Sequence, residues 1–466
     1  MRRVLAKILP NENVDLLLRQ MLLVLTIMVV ANFVAVNFWS LSVVLLFDLG
    51  LVLLLLIFRF PLAAFYVMMF LYPFSGWLIR IGSFDAPAVD WLGLVLLLVW
   101  SVRIWFMKKE AKIAVSVFPM FVFAFIFMAT AALSLLAAEN MLQAVKYLIR
   151  PIMFFYLVFL VLPFNFIKKD KILNNVWRVL LIAGLVVALI GLLSLVFGPD
   201  ARTFSRVQPF VFGELNLVGG NHNAIAETMI VTWPIALLLM LGRSGYRKQN
   251  LYLIAVGVLI LTLLLTFSRS GYIALLLQLL ILFLVTYKEK INFKWLITAT
   301  LAFVIIPLIV YSSVWQNVSW VKSSNYNRLI LSEIAWNAFL ESPWIGHGPG
   351  SFQNIVARTF VFVVDFGDPL DSHGFVQKVL VEQGVIGLTA FVAFILAMAA
   401  VFWLAWKKEK TIRLKQQLLC LFLIYIGIII FELFSTSYYL SRVWVPIGVA
   451  LAAVAVYKNE KSQELI

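Results

Sequence analysis

Residues 251–285 read LYLIAVGVLILTLLLTFSRSGYIALLLQLLILFLV. The stretch is apolar except at Thr266-Phe267-Ser268-Arg269-Ser270-Gly271, and each flank, taken as 250–267 and 271–287, is long enough to cross a bilayer as a helix, for which about 17 to 25 residues suffice. Two spans joined by one tight polar turn therefore follow. The same pattern recurs along the chain: 64% of residues are hydrophobic, 13% are charged and the mean hydropathy is +1.02. Continuous apolar runs exclude a transmembrane barrel, whose strands of about 10 residues alternate apolar and polar positions. The fold class expected is all-α, a polytopic transmembrane bundle of about 14 spans. The first spans fall near 21–38, 41–58 and 60–78, and another near 295–312. Met1 to Gln20 is basic and amphipathic, so no cleavable signal peptide is expected. Cys420, alone of its kind, lies in an apolar helix and reads as a packing residue.

The formal net charge of +15 would suggest a nucleic-acid partner in a soluble protein. Here its distribution speaks for topology instead, with no nucleic acid. Clusters such as Lys168/Lys169/Lys171, Arg243/Arg247/Lys248 and Lys407/Lys408/Lys410/Arg413/Lys415 fall between alternate spans, which places them and both termini in the cytoplasm. The opposite side carries every sizeable loop, near 79–90, 136–150, 198–222 and 313–383. The expected organisation is a single integral membrane domain, 1–466, whose region 313–383 is an extracytoplasmic loop with short interfacial helices. Glu139 to Ile149 and Arg328 to Glu341 are the amphipathic segments on that side.

Basic residues on the outer side run against the positive-inside rule and so invite a function. Arg269 stands between two helix ends, where a guanidinium suits a phosphate or diphosphate; a snorkelling arginine bound to ordinary lipid headgroups serves equally well. Arg206 leads toward Gly219-Gly220-Asn221-His222-Asn223-Ala224, whose asparagines cap the following helix. Pro343 to Phe352 is glycine-rich without the spacing or Lys-Ser/Thr pair of a P-loop, and a structural turn is its ordinary role. Of the three histidines, His373 stands beside Asp371 in the long loop, so it can accept a proton from a hydroxyl, with a carboxylate partner to raise its basicity. No pair of histidines has metal-ligand spacing, and hydrolase and Walker signatures are absent. Ionisable residues within spans are few, chiefly Asp48, Glu227 and Glu432, which weakens a proton-coupled transporter.

Four segments together resemble the bacterial O-antigen ligase and O-antigen polymerase superfamily. Gly220 to Ala226 is similar to that family's Asn-Pro-Asn segment, with His222 in place of the proline. Ser268-Arg269-Ser270-Gly271 resembles its Ser-Arg-Ser/Gly-Gly element, and Arg328 with Pro343 to Phe352 its Arg…Pro-x-x-Gly-x-Gly-Pro-Gly-Ser-Phe stretch. His373 and Gly384 fit a His-x10-Gly motif, although Gly374 replaces the usual asparagine after the histidine. The matches span about residues 200 to 390; the first 200 agree only in hydropathy.

The resemblance implies a metal-independent, inverting transfer without cofactor, from an undecaprenyl diphosphate-linked oligosaccharide or polysaccharide to lipid A-core or another glycan acceptor. The setting implied is the outer face of the bacterial cytoplasmic (inner) membrane. On this reading His373 deprotonates the acceptor hydroxyl and Arg269 is its catalytic counterpart. Arg206 and Arg269 hold the diphosphate, Arg328 is a third candidate, and Asp371, Asn221, Asn223 and Gly384 support the site. A polymerase joining carrier-linked repeat units shares the donor chemistry and stays open. So does a solute transporter of the kind associated with inorganic carbon uptake, which would place coupled ionisable residues near the bilayer midplane.

Overall fold

The computed structural model describes residues 40–81, 84–106, 120–149, 155–198, 206–211, 216–242, 246–287, 319–367 and 369–464, with a few isolated positions besides. In chain order the helices are α1 (Leu41–Arg59), α2 (Pro61–Leu71), α3 (Ala88–Phe106), α4 (Phe121–Ser134), α5 (Met141–Tyr147), α6 (Phe155–Phe166), α7 (Asp170–Phe197) and α8 (His222–Leu241). They continue with α9 (Tyr246–Leu265), α10 (Arg269–Tyr287), α11 (Ser319–Glu341), α12 (Ser351–Arg358), α13 (Phe360–Phe366), α14 (Phe375–Lys408), α15 (Ile412–Glu432) and α16 (Ser441–Glu464). The protein is thus a helical, multi-pass membrane protein. A two-stranded antiparallel hairpin, β1 (Leu78–Ile81) and β2 (Phe84–Pro87), interrupts the helices in the loop expected near 79–90.

Among the described residues eight helices are long and apolar enough to span a membrane: α3, α7, α8, α9, α10, α14, α15 and α16, or nine if α1 and α2 count as one broken span. The spans expected at 21–38 and 295–312 lie outside the described residues. Those expected at 41–58 and 60–78 take another form, because α1 and α2 meet at an angle of 108°. Pro61 causes the bend. It forbids the helical conformation to Phe60, which adopts φ −126°, ψ 59° and ends α1, while Pro61 itself opens α2. Pro73 follows soon after Leu71, and α2 stops at 11 residues.

Helix α8 lies at the centre, with 83% of its span buried, and packs against α7, α9, α10, α15 and α16. A buried amide ties three of these helices together: Gln278 of α10 donates to the Ile230 carbonyl of α8 (3.0 Å) and the Leu423 carbonyl of α15 (2.8 Å), and accepts from Trp233 Nε1 (2.8 Å). Each polar atom is thereby satisfied where lipid offers no partner. Helices α11 to α13 form a separate cap with its own small core, in which Leu331, Ala338, Phe352, Val356 and Phe362 pack with Val381 of α14. At 23 residues α11 is longer than a short interfacial helix.

A convergence of helix ends forms the candidate active site

Contacts between their ends place the N-termini of α8, α10, α14 and α16 at one end of the bundle with the C-termini of α9 and α15. The turn Thr266–Ser268 sits at this end. Phe267 takes φ 53°, the left-handed conformation a non-glycine residue rarely adopts, and reverses the chain within three residues. Ser268 then caps α10 by accepting from the Gly271 backbone N–H (3.2 Å) and donates to Asn223 Oδ1 (2.7 Å). Asn221 caps α8 in the same way, its side chain accepting from the Asn223 N–H at 2.9 Å. Of the two asparagines named from sequence, Asn221 therefore caps α8 and Asn223 locks its first turn to that of α10. Two positive helix ends are brought side by side, where an anion is favoured.

The cations gather around this pair. Arg206 Nη1 lies 3.4 Å from His222 Nε2, and Arg269 donates to Asn325 Oδ1 of α11 at 2.6 Å. Arg328 follows Asn325 by three residues on the same face of α11. Arg206, Arg269 and Arg328 all lie within electrostatic reach of His222, and Arg269 and Arg328 within reach of His373. One positively charged cluster thus unites Arg206, Arg269, Arg328, His222 and His373 from separate parts of the chain. Burial first, then the Arg328 charge, pushes the His373 imidazole down to about 4; Asp371 opposes this and Arg269 adds to it. His373 is therefore a neutral imidazole at pH 7, with a lone pair available to a proton.

Residues 254–392 match a family model described as O-antigen ligase. The match covers less than half of the chain and supports membership of the O-antigen ligase and polymerase superfamily. No curated protein matches the chain. Members of the O-antigen ligase family are membrane glycosyltransferase-like enzymes that work on carrier-linked glycans and their acceptors. The matched segment contains Arg269, Arg328, His373 and Gly384, whereas Arg206, Asn221, His222 and Asn223 precede it and reach the O-antigen ligase segment only through the fold.

One sequence expectation is refined in this setting. The Asp371 charge raises the basicity of His373, but its direct contacts go elsewhere: both its oxygens lie 2.6 Å from Nζ of Lys378, which is 1% exposed, and Tyr439 donates to it at 3.3 Å. Lys378 also lies 3.5 Å from Glu382 and over the rings of Tyr147 (5.2 Å) and Tyr439 (5.5 Å). Beside this lysine, burial outweighs its charge and pushes the Tyr439 phenol up to about 12, and burial likewise raises the Tyr147 phenol well above its ordinary value. The acidic residue next to the histidine thus anchors the base of α14.

The glycine-rich segment after Pro343 is, as expected, structural. Gly384, at φ 66°, ψ −167°, breaks α14, and the freed backbone groups pair with that segment. His347 N–H donates to the Val381 carbonyl (2.9 Å), Gly348 N–H to Glu382 (3.0 Å), and Val385 and Ile386 N–H groups to Pro343 (2.9 Å) and Trp344 (3.3 Å). Gly374 is equally constrained. Its φ of 152° suits only glycine, and a Cβ there would lie 2.5 Å from the Leu433 carbonyl oxygen, so the family's asparagine does not fit this backbone. Asn325, His222 as partner of Arg206, and the Lys378 cluster carried no signal in the sequence, since each depends on contacts between distant segments. Among the described residues no three side chains of metal-ligating type converge.

Proposed function

We propose that the protein transfers a glycan from undecaprenyl diphosphate to an acceptor hydroxyl of lipid A-core type, as an O-antigen ligase does, at the outer face of the cytoplasmic membrane. The observation that carries the reading is the meeting of Arg206, Arg269 and Arg328 with two helix N-termini beside a histidine kept neutral. In the reaction the acceptor oxygen attacks the anomeric carbon as the bond from that carbon to the diphosphate oxygen breaks. The electron pair leaves with the diphosphate, and the acceptor proton passes to His373. Arg269 and Arg206 hold the diphosphate as its charge grows, with Arg328 behind them. A bound diphosphate cancels part of the arginine field at His373, so the imidazole becomes a better base when the donor is in place. In-line displacement by a hydroxyl inverts the anomeric centre, and no step requires a metal.

The test supplies purified protein with undecaprenyl diphosphate oligosaccharide and several acceptors. Release of polyprenyl diphosphate with extension of lipid A-core supports the ligase. A ladder of longer carrier-linked glycans makes it a polymerase, and no turnover together with solute flux into liposomes refutes the enzyme reading. His373→Ala is expected to cost about 10² to 10⁴ in rate, and Arg269→Ala about 10² to 10³, with membrane insertion intact.

A further inference from the structure

Four polar side chains that the proposed chemistry does not use are buried together behind the site. Glu227 of α8 and Glu432, the last residue of α15, are each 1% exposed; Ser437 is 6% and Arg442 7% exposed. Ser437 Oγ lies 3.0 Å from Glu227 Oε2, 2.9 Å from Glu432 Oε1 and 2.9 Å from Ser435 Oγ. Arg442 Nε lies 3.2 Å from Glu227 Oε2. The remaining oxygens, Glu227 Oε1 and Glu432 Oε2, are buried and accept no hydrogen bond.

Proton counting decides the charge of this cluster. A serine hydroxyl has one proton to give and two lone pairs to receive. With three oxygen partners Ser437 donates once and accepts twice. Ser435 can supply at most one of the accepted protons, so at least one of the two glutamates must supply another and must itself be protonated. Arg442 contacts Glu227, which is therefore the carboxylate, and Glu432 is the acid. The Ser437 backbone N–H also reaches Glu432. The opposite assignment would leave a buried guanidinium against a neutral acid and a buried carboxylate without a cation, both costly.

The cluster joins the two edges of the site. Arg442 Nη1 donates to the Val218 carbonyl (3.4 Å), just before Gly219-Gly220-Asn221-His222, where His222 meets Arg206. On the other side Leu433 abuts Gly374, and Tyr439, two residues after Ser437, donates to Asp371. We infer that Glu432 is held as a neutral carboxylic acid, and that the chain Glu432–Ser437–Glu227–Arg442 is a positioning device that fixes the His373 edge of the site against the Arg206–His222 edge. The positioning role rests on the transfer reaction proposed above; the protonation of Glu432 does not.

The test separates the two amide variants. Glu432→Gln keeps a donor where the acid has one, so transfer and the unfolding midpoint should stay near wild type. Glu227→Gln removes the partner of Arg442 and frees the Val218 segment; a displacement of about 1 Å at a reacting edge costs on the order of 10²-fold in rate. Infrared spectra of the purified wild-type protein at neutral pH should show a carboxylic-acid C=O band that Glu432→Gln abolishes. If that band is missing, or survives the substitution, Glu432 is not the acid. Equal tolerance of both amides, or equal loss, overturns the positioning chain. Wild-type protein that carries the band but transfers no glycan refutes the proposed reaction and leaves the neutral acid standing.

Discussion

Gly384→Ala tests how the break in α14 is made. At φ 66° an alanine is strained, by about 1 to 2 kcal/mol. Its Cβ would also stand 2.3 Å from both the carbonyl carbon and oxygen of Trp344 and 2.6 Å from the Ile345 nitrogen. These are backbone atoms, which no rotamer change can move aside. The Pro343–Gly348 segment must retreat by about 1 Å to reach ordinary van der Waals contact, which breaks the nearest backbone bonds, from Val385 to Pro343 and Ile386 to Trp344. Two such bonds contribute about 1 to 3 kcal/mol. The expected loss is about 2 to 5 kcal/mol, a large share of the stability of a typical domain. Thermal unfolding of the purified variant in detergent, followed by helix signal, measures it. Gly384→Ser should behave alike, since any Cβ meets the same backbone. A midpoint and transfer rate equal to wild type would refute the docking of this segment into the helix break.

Other consequences are equally specific. Lys378→Met leaves the buried Glu382 and the partly buried Asp371 without their cation and should cost about 3 to 5 kcal/mol, part of which Asp371→Asn in the same chain should restore, as denaturant midpoints will show. Arg328→Gln removes the largest charge that depresses His373. Loss of that positive charge raises the imidazole pKa above about 4, so the acid limb of kcat/KM against pH should move upward, and an unmoved limb would separate Arg328 from the histidine. Asn221→Ala should lose the cap of α8, about 1 kcal/mol, while Asn221→Asp keeps it, a difference that paired melting curves resolve. A chelator added to the transfer assay should leave the rate unchanged.

The site was legible in the sequence wherever a residue violated its surroundings. Arg269 interrupts a run of apolar residues, and His373 belongs to the longest hydrophilic stretch, so each stood out alone. Partners were not legible. Asp371 precedes His373 by two residues, yet its carboxylate binds Lys378, because the next turn of α14 brings the lysine's ammonium against both oxygens while two tyrosine rings exclude water. Nor does spacing reveal that Arg206 meets His222 or that Ser268 reaches Asn223, for those contacts exist only once α8 and α10 lie side by side.

Hydropathy by itself determined that the chain crosses a membrane as helices, because a backbone in lipid must satisfy its own hydrogen bonds and apolar runs of this length have few alternatives. Local chemistry determined where helices stop: Pro61 bends the first pair, Ser268 and Asn221 cap, and Gly384 breaks α14. Only the tertiary structure decided which stops face one another. Packing around the central helix α8 sets helix ends from distant parts of the chain at one end of the bundle, and there burial and neighbouring charge, which no single segment carries, set the protonation of His373.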